Sequence, residues 1–394
     1  MAKSIVPIGP FHPLQEEPEF FALTVDGETV VDIDVNIGYN HRGIEKLSER
    51  KSFDQSTFVI ERICGICSTS HPFAYTRAVE DIIDAKVPER AEYIRTIIAE
   101  GERVHSHLLW LGLAGHFLGY NTVYMWVWKL REEILDVMEI LSGNRNSYAM
   151  FKPGGVRRDI NPEDIPGVIR KIDSIIPTLN RLKKAILDDP VLHARLKGIG
   201  ILTKEDAIDY SALGPTSRAS GVAKDVRKDD PYGAYDKVEW DMIVTENGDV
   251  FEKVVVRVLE VFESIKIMKE CLLNLPEGEI DLNIKSIPPG EGIGTAEAPR
   301  GETFHYVRSD GTNRPARHKV RAPTFMNLPT CKSTVIGETV SDATIILASI
   351  DPCYCCTERI AVLNTKGKKI YNGQDLIKLS QEKTQLIKRK MGIK

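Results

Sequence analysis

Two Cys-x-x-Cys pairs stand near opposite ends of this 394-residue chain: Cys64-Gly-Ile-Cys67 and Cys353-Tyr-Cys-Cys356. Four thiols in two i, i+3 pairs can close a tetrahedral sulfur cage around a soft or borderline metal. A zinc ribbon closes a short local loop. A site shared by these two pairs would instead pin the first and last thirds of the chain together and bury a metal at the centre of the fold. On spacing alone, structural zinc comes first and iron–sulfur ligation second. A redox dithiol comes last, because no thioredoxin-like βαβ pattern surrounds either pair.

The other cysteines, Cys271, Cys331 and Cys355, make the total odd at 7, which suits thiols kept for metal in a reducing compartment better than a disulfide scaffold. The formal net charge is −4 and there is no long basic run, so neither nucleic-acid binding nor direct adsorption to a membrane is expected. The N-terminus lacks the apolar core of a signal peptide. The most apolar region, Leu108 to Trp128, is interrupted by His116, Tyr120, Asn121 and Thr122, and reads as a buried helical stretch, not a membrane span.

The pattern along the chain is α+β and mainly helical. Residues 20–36 alternate about Asp26-Gly27, a hairpin signal. Helical periodicity begins near Lys46, strengthens from Pro88 to Leu141, and returns over Asn161–Asp188 and Phe251–Leu275. After Ile287 the chain turns to Gly/Pro-rich segments with short strands. With no repeat and no low-complexity linker, one interlocked domain over residues 1–394 is expected.

With their neighbours, the two pairs resemble the signature motifs of the large subunit of nickel–iron hydrogenases: Arg62 and His71 flank the first, and Asp351-Pro352 leads the second. The resemblance covers nearly the whole chain. It points to the energy-converting, membrane-associated group, which is related to the respiratory complex I subunit that has lost the cysteines. Gly9-Pro-Phe-His-Pro13, Gly38-Tyr-Asn-His-Arg-Gly-Ile-Glu45, His105-Ser-His-Leu108, Gly154-Gly-Val-Arg-Arg-Asp159 and Glu297-Ala-Pro-Arg-Gly-Glu302 are similar to further motifs of that lineage. The fold it implies has a central helix bundle with small N- and C-terminal β elements.

The resemblance implies that Cys64 and Cys353 are terminal nickel ligands, and that Cys67 and Cys356 bridge nickel to an iron carrying carbonyl and cyanide. Polarisable thiolates suit a nickel that changes oxidation state, a change that zinc cannot make. A Lewis-acidic metal pair beside a base can split hydrogen heterolytically, with a terminal thiolate such as Cys353 taking the proton. Arg300 matches the arginine over the open coordination position; alone it reads as a structural salt bridge. Thr324 matches a hydroxyl that hydrogen-bonds a cyanide; alone it is a turn threonine. His71, one helical turn past Cys67, is expected to donate to a cysteine sulfur, with a core histidine as the plain alternative.

Glu17 falls where the family's proton-accepting glutamate lies, with Glu16 as its competitor and a solvated acidic turn as the alternative. Glu45 is a second relay candidate or a structural partner of Arg42 or of a helix N-terminus. His12 corresponds to a histidine that faces quinone in the complex I relatives; here it lines a proton path or buttresses the cluster. Three features depart from the family pattern. Cys355 adds a thiol that is expected to point away from the cage. Arg359 replaces a C-terminal histidine that binds a further metal in many relatives. Residues 360–394 form an extension of a kind that relatives can lose on maturation.

The function expected is that of a hydrogenase catalytic subunit, reducing protons reversibly with electrons from a low-potential carrier such as ferredoxin. A sulfur- or polysulfide-reducing relative and a complex I-type electron-transfer subunit are the alternatives. No cysteine set remains for a second cluster, so a 4Fe-4S cluster is assigned to an iron–sulfur small subunit. Ion translocation is assigned to membrane subunits, with this chain docked at the cytoplasmic face.

Overall fold

The computed structural model describes residues 3–13, 15–357, 362–363, 369–371 and 373–393. Three antiparallel strands open the chain: β1 (Ser4–Ile8), β2 (Phe20–Asp26) and β3 (Thr29–Asn36). The expected hairpin turns at Asp26-Gly27, with Asp26 paired to Thr29. Phe21, Leu23 and Val25 point into the core at the period of two that a half-buried strand requires. β1 pairs outside β2, a strand that the alternation over 20–36 did not announce.

Helices α1 (Ile44–Ser48) and α2 (Phe53–Ile60) follow. α2 begins in a capping box: Gln55 N donates to Ser52 Oγ at 3.1 Å and Ser52 N donates to Gln55 Oε1 at 3.3 Å. A 3-10 turn, Glu61–Ile63, delivers Cys64, and α3 (Ser70–Ile82) carries His71.

The buried helical stretch expected between Leu108 and Trp128 is divided between two helices. α4 (Glu89–Phe117) stops, Gly119 takes φ 83°, and α5 (Asn121–Ser142) restarts. A positive φ costs glycine little, so the chain reverses there. α5 then packs antiparallel on α4, with Met138 against Gly101 and Trp128 against Gly112. The start of α5 is not buried: Met125 is 64% and Trp126 51% exposed. α6 (Ile165–Asp188) begins later than Asn161, because Asn161–Asp164 is a turn closed by Asp164 N to Asn161 O at 3.0 Å. α7 (Val250–Leu273) starts where the Asp249 carboxylate accepts from Glu252 N at 2.8 Å. α4, α5, α6 and α7 pack as the central bundle.

A second antiparallel sheet, β4 (Gly290–Ala298), β5 (Gly301–Ser309) and β6 (Pro315–Arg321), lies on α3. Glycines two apart explain the contact. Gly292 and Gly294 face Ala78 and Ala74 of α3, where any side chain would collide with the helix carbonyl oxygens. α8 (Pro323–Asn327) and α9 (Val340–Ser349) lead to a 3-10 turn, Tyr354–Cys356, that carries the second cysteine pair. Arg359 lies outside the described residues; beyond it a further helix, α10 (Gly373–Lys390), is described.

One apolar cluster draws residues from Ile8 to Tyr354. A second gathers Phe53, Ile60, Tyr75, Val307 and Val320 around Cys64, Cys67, Cys353 and Cys356. Among the described residues no helix is long and apolar enough to cross a membrane.

Candidate metal centre

The two cysteine pairs meet. Cys353 Sγ lies 3.1 Å from Cys64 Sγ and 2.9 Å from Cys356 Sγ, these three sulfurs lie within 4.8 Å of one another, and Cys67 stands beside them. All four are buried. The first loop turns on its own backbone: the N–H groups of Ile66 and Cys67 both point at Cys64 Sγ, at 3.2 Å each. Behind it, buried Glu102 of α4 accepts from Ser70 N at 3.2 Å and Ser70 Oγ at 2.5 Å, and from Thr69 N, satisfying the first turn of α3. Burial raises the Glu102 pKa to about 7 against the pull of those hydrogen bonds.

The second loop is held from outside. Asp351 sits at φ 54° before Pro352, and its carboxylate meets Arg300 Nη2 at 2.6 Å. Cys353 N donates to Thr324 Oγ1 at 3.1 Å, and Cys355 N donates to Glu17 Oε2 at 2.5 Å. Arg42 ties the two loops together, donating to the carbonyls of Arg62 at 2.6 Å, Ile63 at 2.7 Å and Cys355 at 3.3 Å.

Arg300 comes to the site on the two-residue link between β4 and β5, where Ala298 pairs with Gly301. Gly301, at φ 123°, abuts Leu213 and Gly214, which leaves no room for a side chain. Arg300 Nη1 then reaches Cys67 Sγ at 3.4 Å and Ser106 Oγ at 3.1 Å, while Nε donates to Asp351 O at 2.7 Å. Burial opposes its charge, but Asp351, Cys67 and Cys353 outweigh that and keep the guanidinium protonated.

Hydrogen bonds from Cys353, Cys356 and Cys67 hold the Cys64 thiol well below its ordinary range. Cys356 is pushed up by burial. Cys67 and Cys353 each have a lowering contact with Cys356 but are pushed up further by Cys64 and by burial. Cys64, Cys353 and Cys356 form the compact group of sulfurs, with Cys67 beside it, and thiolates this close need a cation among them. Thiolates at metal-bond lengths of about 2.3 Å stand about 4 Å apart, a small expansion from the Cys353 spacings. The donor set fits a soft or redox-active metal centre.

Comparison with known proteins agrees with this geometry. The family model of the 49 kDa subunit of respiratory-chain NADH dehydrogenase matches residues 118–287 and 282–359, and that of nickel-dependent hydrogenases matches residues 42–113. The chain belongs to the hydrogenase large-subunit and complex I 49 kDa family. It is 42% identical to the membrane-bound hydrogenase subunit alpha of Pyrococcus furiosus, over 97% of this chain and 93% of that one. It is 39% identical to the carbon monoxide-induced hydrogenase of Rhodospirillum rubrum, over 91% of this chain and all of that one. A chain of the membrane-bound sulfane sulfur reductase, an archaeal respiratory membrane complex, shares the fold with a TM-score of 0.86 and 32% identity, covering 91% of this chain and 98% of that one. The first cysteine pair falls in the hydrogenase match and the second in the complex I match.

The remaining residues named from sequence are placed as follows. His71 is buried, with Nε2 unpartnered among the described residues and its pKa lowered by burial to about 4. Glu17 contacts the second loop, and its pKa is raised by burial and by Cys64. Glu16 is exposed, yet its carboxyl feels the charges of Arg300, Asp351, Glu17 and Cys64; desolvation is the main cause that raises it to about 8. Glu45 does not hold Arg42. Its carboxylate takes Val320 N and Lys319 Nζ, both at 3.0 Å, while Arg42 is spent on carbonyls. His12 lines an outer pocket with Glu16 and Glu17. The Cys355 thiol is hydrogen-bonded with Glu17, and burial pushes its pKa up.

Glu102, His305 and His318 escaped the sequence reading, and Arg42 was named there only as a partner for Glu45. Arg42 stood in a quoted motif, and its only signal was that place. Glu102 sits three residues before His105-Ser-His-Leu108 with no motif of its own. The two histidines lie on strand positions that look like ordinary inward alternation.

Proposed function

We propose that this chain is the catalytic subunit of an energy-converting, membrane-associated nickel–iron hydrogenase. It reduces protons to hydrogen, reversibly, with electrons from a low-potential carrier such as ferredoxin. The observation that carries the reading is four buried cysteine sulfurs from opposite ends of the chain meeting beside a buried arginine. A complex I-type subunit that only passes electrons has no use for that set.

Cys64, Cys67, Cys353 and Cys356 would hold the metals. When bound, nickel paired with an iron carrying carbonyl and cyanide supplies the redox change and Lewis acidity that hydrogen chemistry needs. Arg300 keeps a fixed positive charge 3.4 Å from Cys67 Sγ, favouring negative charge that develops there. Thr324 accepts from Cys353 N and retains its own hydroxyl proton for a polar ligand in the site. His71 keeps a buried Nε2 without a partner among the described residues, and it would serve a cysteine sulfur. In proton reduction Glu17 would hand the proton to Cys353, and in the reverse direction Cys353 would take it first and Glu17 next.

Outside the site, the other fully buried cysteines, Cys271 and Cys331, lie on α7 and just after α8, too few to bind a cluster of their own. Electrons therefore arrive through an iron–sulfur small subunit with a 4Fe-4S cluster, docked near Cys64 and Cys67. Membrane subunits carry ion translocation, and the chain sits peripherally on the cytoplasmic face as one folded unit.

The likeness to a sulfane sulfur reductase chain supports a second reading, in which the same cage serves sulfur or polysulfide reduction. Metal analysis and infrared spectroscopy of the purified complex, with hydrogen and sulfide measured from one reduced donor, separate the two. Nickel, carbonyl and cyanide bands and hydrogen evolution are expected. Sulfide without hydrogen moves the chain to the second reading, and zinc or an empty cage removes the hydrogenase.

A further inference from the structure

Arg257, in α7, is fully buried, belongs to none of the motifs and has no part in the chemistry proposed so far. Its guanidinium is clamped on two sides. Nη1 donates to Lys253 O of its own helix at 2.7 Å. Cζ lies over the Trp110 ring of α4, 4.1 Å from the centroid, and Trp110 Nε1 donates at 2.8 Å to the carbonyl of Ala348, three residues before Asp351.

The other side faces the second cysteine loop. Nε and Nη2 have no hydrogen-bond partner among the described residues, and Nε lies 3.9 Å from Asp351 Oδ2. That is within ion-pair range but too long for a hydrogen bond. Asp351 Oδ1 meets Arg300 Nη2 at 2.6 Å, so one buried carboxylate stands between two buried guanidiniums. Glu260, one turn along α7, is committed elsewhere, to Arg218 Nη2 and His107 Nε2, each at 2.8 Å. Burial opposes the Arg257 charge, and Asp351 is its largest support, ahead of Glu260. A buried cation left without an anion is strongly unfavourable, so Arg257 needs Asp351.

The turn at Asp351 gives this contact a use. Asp351 sits at φ 54°, a left-handed conformation that a residue with a side chain holds only at a cost, and it leads directly into Pro352 and Cys353. Arg300 grips one oxygen from the β4–β5 link. Arg257 faces the other from the central bundle. The charges also add up: two cations and one carboxylate leave one positive charge, whereas Arg300 and Asp351 alone would leave none. The Arg300 end of that set reaches Cys67 Sγ at 3.4 Å.

We propose that Arg257 is a positioning residue for the metal centre: it holds Asp351, and with it the second cysteine loop, against the bundle, and it leaves Arg300 with uncancelled positive charge beside Cys67. The proposal deepens the hydrogenase reading and rests on it for the metals. The link between Arg257 and Asp351 stands on this chain alone.

The test is a two-residue cycle in the complex carrying the full chain: Arg257→Met, Asp351→Asn and the two together. Asparagine also visits the left-handed backbone, so Asp351→Asn removes the charge and leaves the turn. Asp351→Asn should lower the unfolding temperature most, because it leaves two buried cations facing each other. Adding Arg257→Met should recover part of that loss. Losses that simply add, or a double variant less stable than Asp351→Asn, overturn the link. The carbonyl and cyanide infrared bands of the same samples report on the charge. Arg257→Met and Asp351→Asn should shift them in opposite directions, and the double variant should return toward the unsubstituted chain. Arg257→Lys, which keeps the charge, should shift them less than Arg257→Met. Bands unmoved in Arg257→Met with nickel intact overturn the charge role. If Asp351→Asn does not assemble, assembly of the double variant is the recovery expected; if neither assembles, Arg257→Met against Arg257→Lys decides. An unsubstituted complex without nickel sinks the hydrogenase reading, while the stability cycle still tests the link.

Discussion

The two cysteine loops close one cage, but they are held differently. The Cys64 loop folds its own N–H groups, those of Ile66 and Cys67, onto the Cys64 sulfur, and Arg42 and Glu102 brace the backbone on either side of it. The Cys353 loop is fixed by distant side chains: Arg300 on Asp351, Thr324 on the Cys353 N–H and Glu17 on the Cys355 N–H. The first loop makes backbone hydrogen bonds to its own sulfur, whereas the second is held by groups that can also handle charge, and the proposed proton acceptor Glu17 is one of them. That difference supports the proposal that protons pass by the second loop and that the electron-delivering partner docks at the first.

The largest effects should be the same for both loops, since each supplies half of the cage. Cys67→Ser and Cys356→Ser should each lose nickel and hydrogen evolution together, because an alkoxide is a harder, poorer ligand for these metals. Nickel by elemental analysis and hydrogen by gas chromatography check this. A variant of either loop that keeps both would break the symmetry and show that its thiol lies outside the cage.

Carboxylate changes should separate the loops. Glu17→Gln keeps the hydrogen bond to Cys355 N but removes the exchangeable proton, so turnover should fall about 100-fold or more while nickel remains. Glu16, raised to about 8, is protonated at neutral pH and becomes charged only as the pH rises through that value. Glu16→Gln fixes it neutral. Its turnover should match the unsubstituted chain near pH 7 and diverge above about pH 8. Divergence at neutral pH with a normal Glu17→Gln would move the start of the proton route to Glu16.

How far the sequence could be read follows the same division. The cysteines were legible as a set because metal ligation demands a residue type and a spacing at once. The hairpin at Asp26-Gly27 and the helices α6 and α7 were legible from period alone. The end of α4 was not: Gly119 is one glycine in an apolar run, and only tertiary packing of α5 back on α4 selects it as a reversal. The glycines at 292 and 294 looked loop-like because their use is external, the close approach of α3. Arg42 and Glu102 bind backbone groups far away in sequence, which no local pattern encodes.

Smaller effects should follow at Thr324. Thr324→Val leaves the Cys353 N–H buried without its acceptor, at a cost of about 1–3 kcal/mol, and Thr324→Ser should recover most of it. Thermal unfolding of the intact complex measures the loss. No loss in Thr324→Val would mean that the second loop is as self-supporting as the first.

The smallest effect is expected at Cys355, whose sulfur is outside the compact group of Cys64, Cys353 and Cys356. Its thiol hydrogen-bonds with Glu17 and its backbone N–H holds the same carboxylate. Cys355→Ser keeps a donor at that place, so one hydrogen bond replaces another. Such an exchange is worth less than about 1.4 kcal/mol, or a change of less than about tenfold in turnover. Nickel should be unchanged, and Glu17 should stay in reach of the cage. Cys355→Ala removes the donor but not the backbone contact, and should fall between Cys355→Ser and Glu17→Gln. Loss of nickel in Cys355→Ser would place this sulfur in the cage and displace Cys356 or Cys353 from it. A Cys355→Ala chain as slow as Glu17→Gln, with nickel intact, would make the thiol itself a member of the proton route and tie the second loop to that traffic more closely than its backbone does.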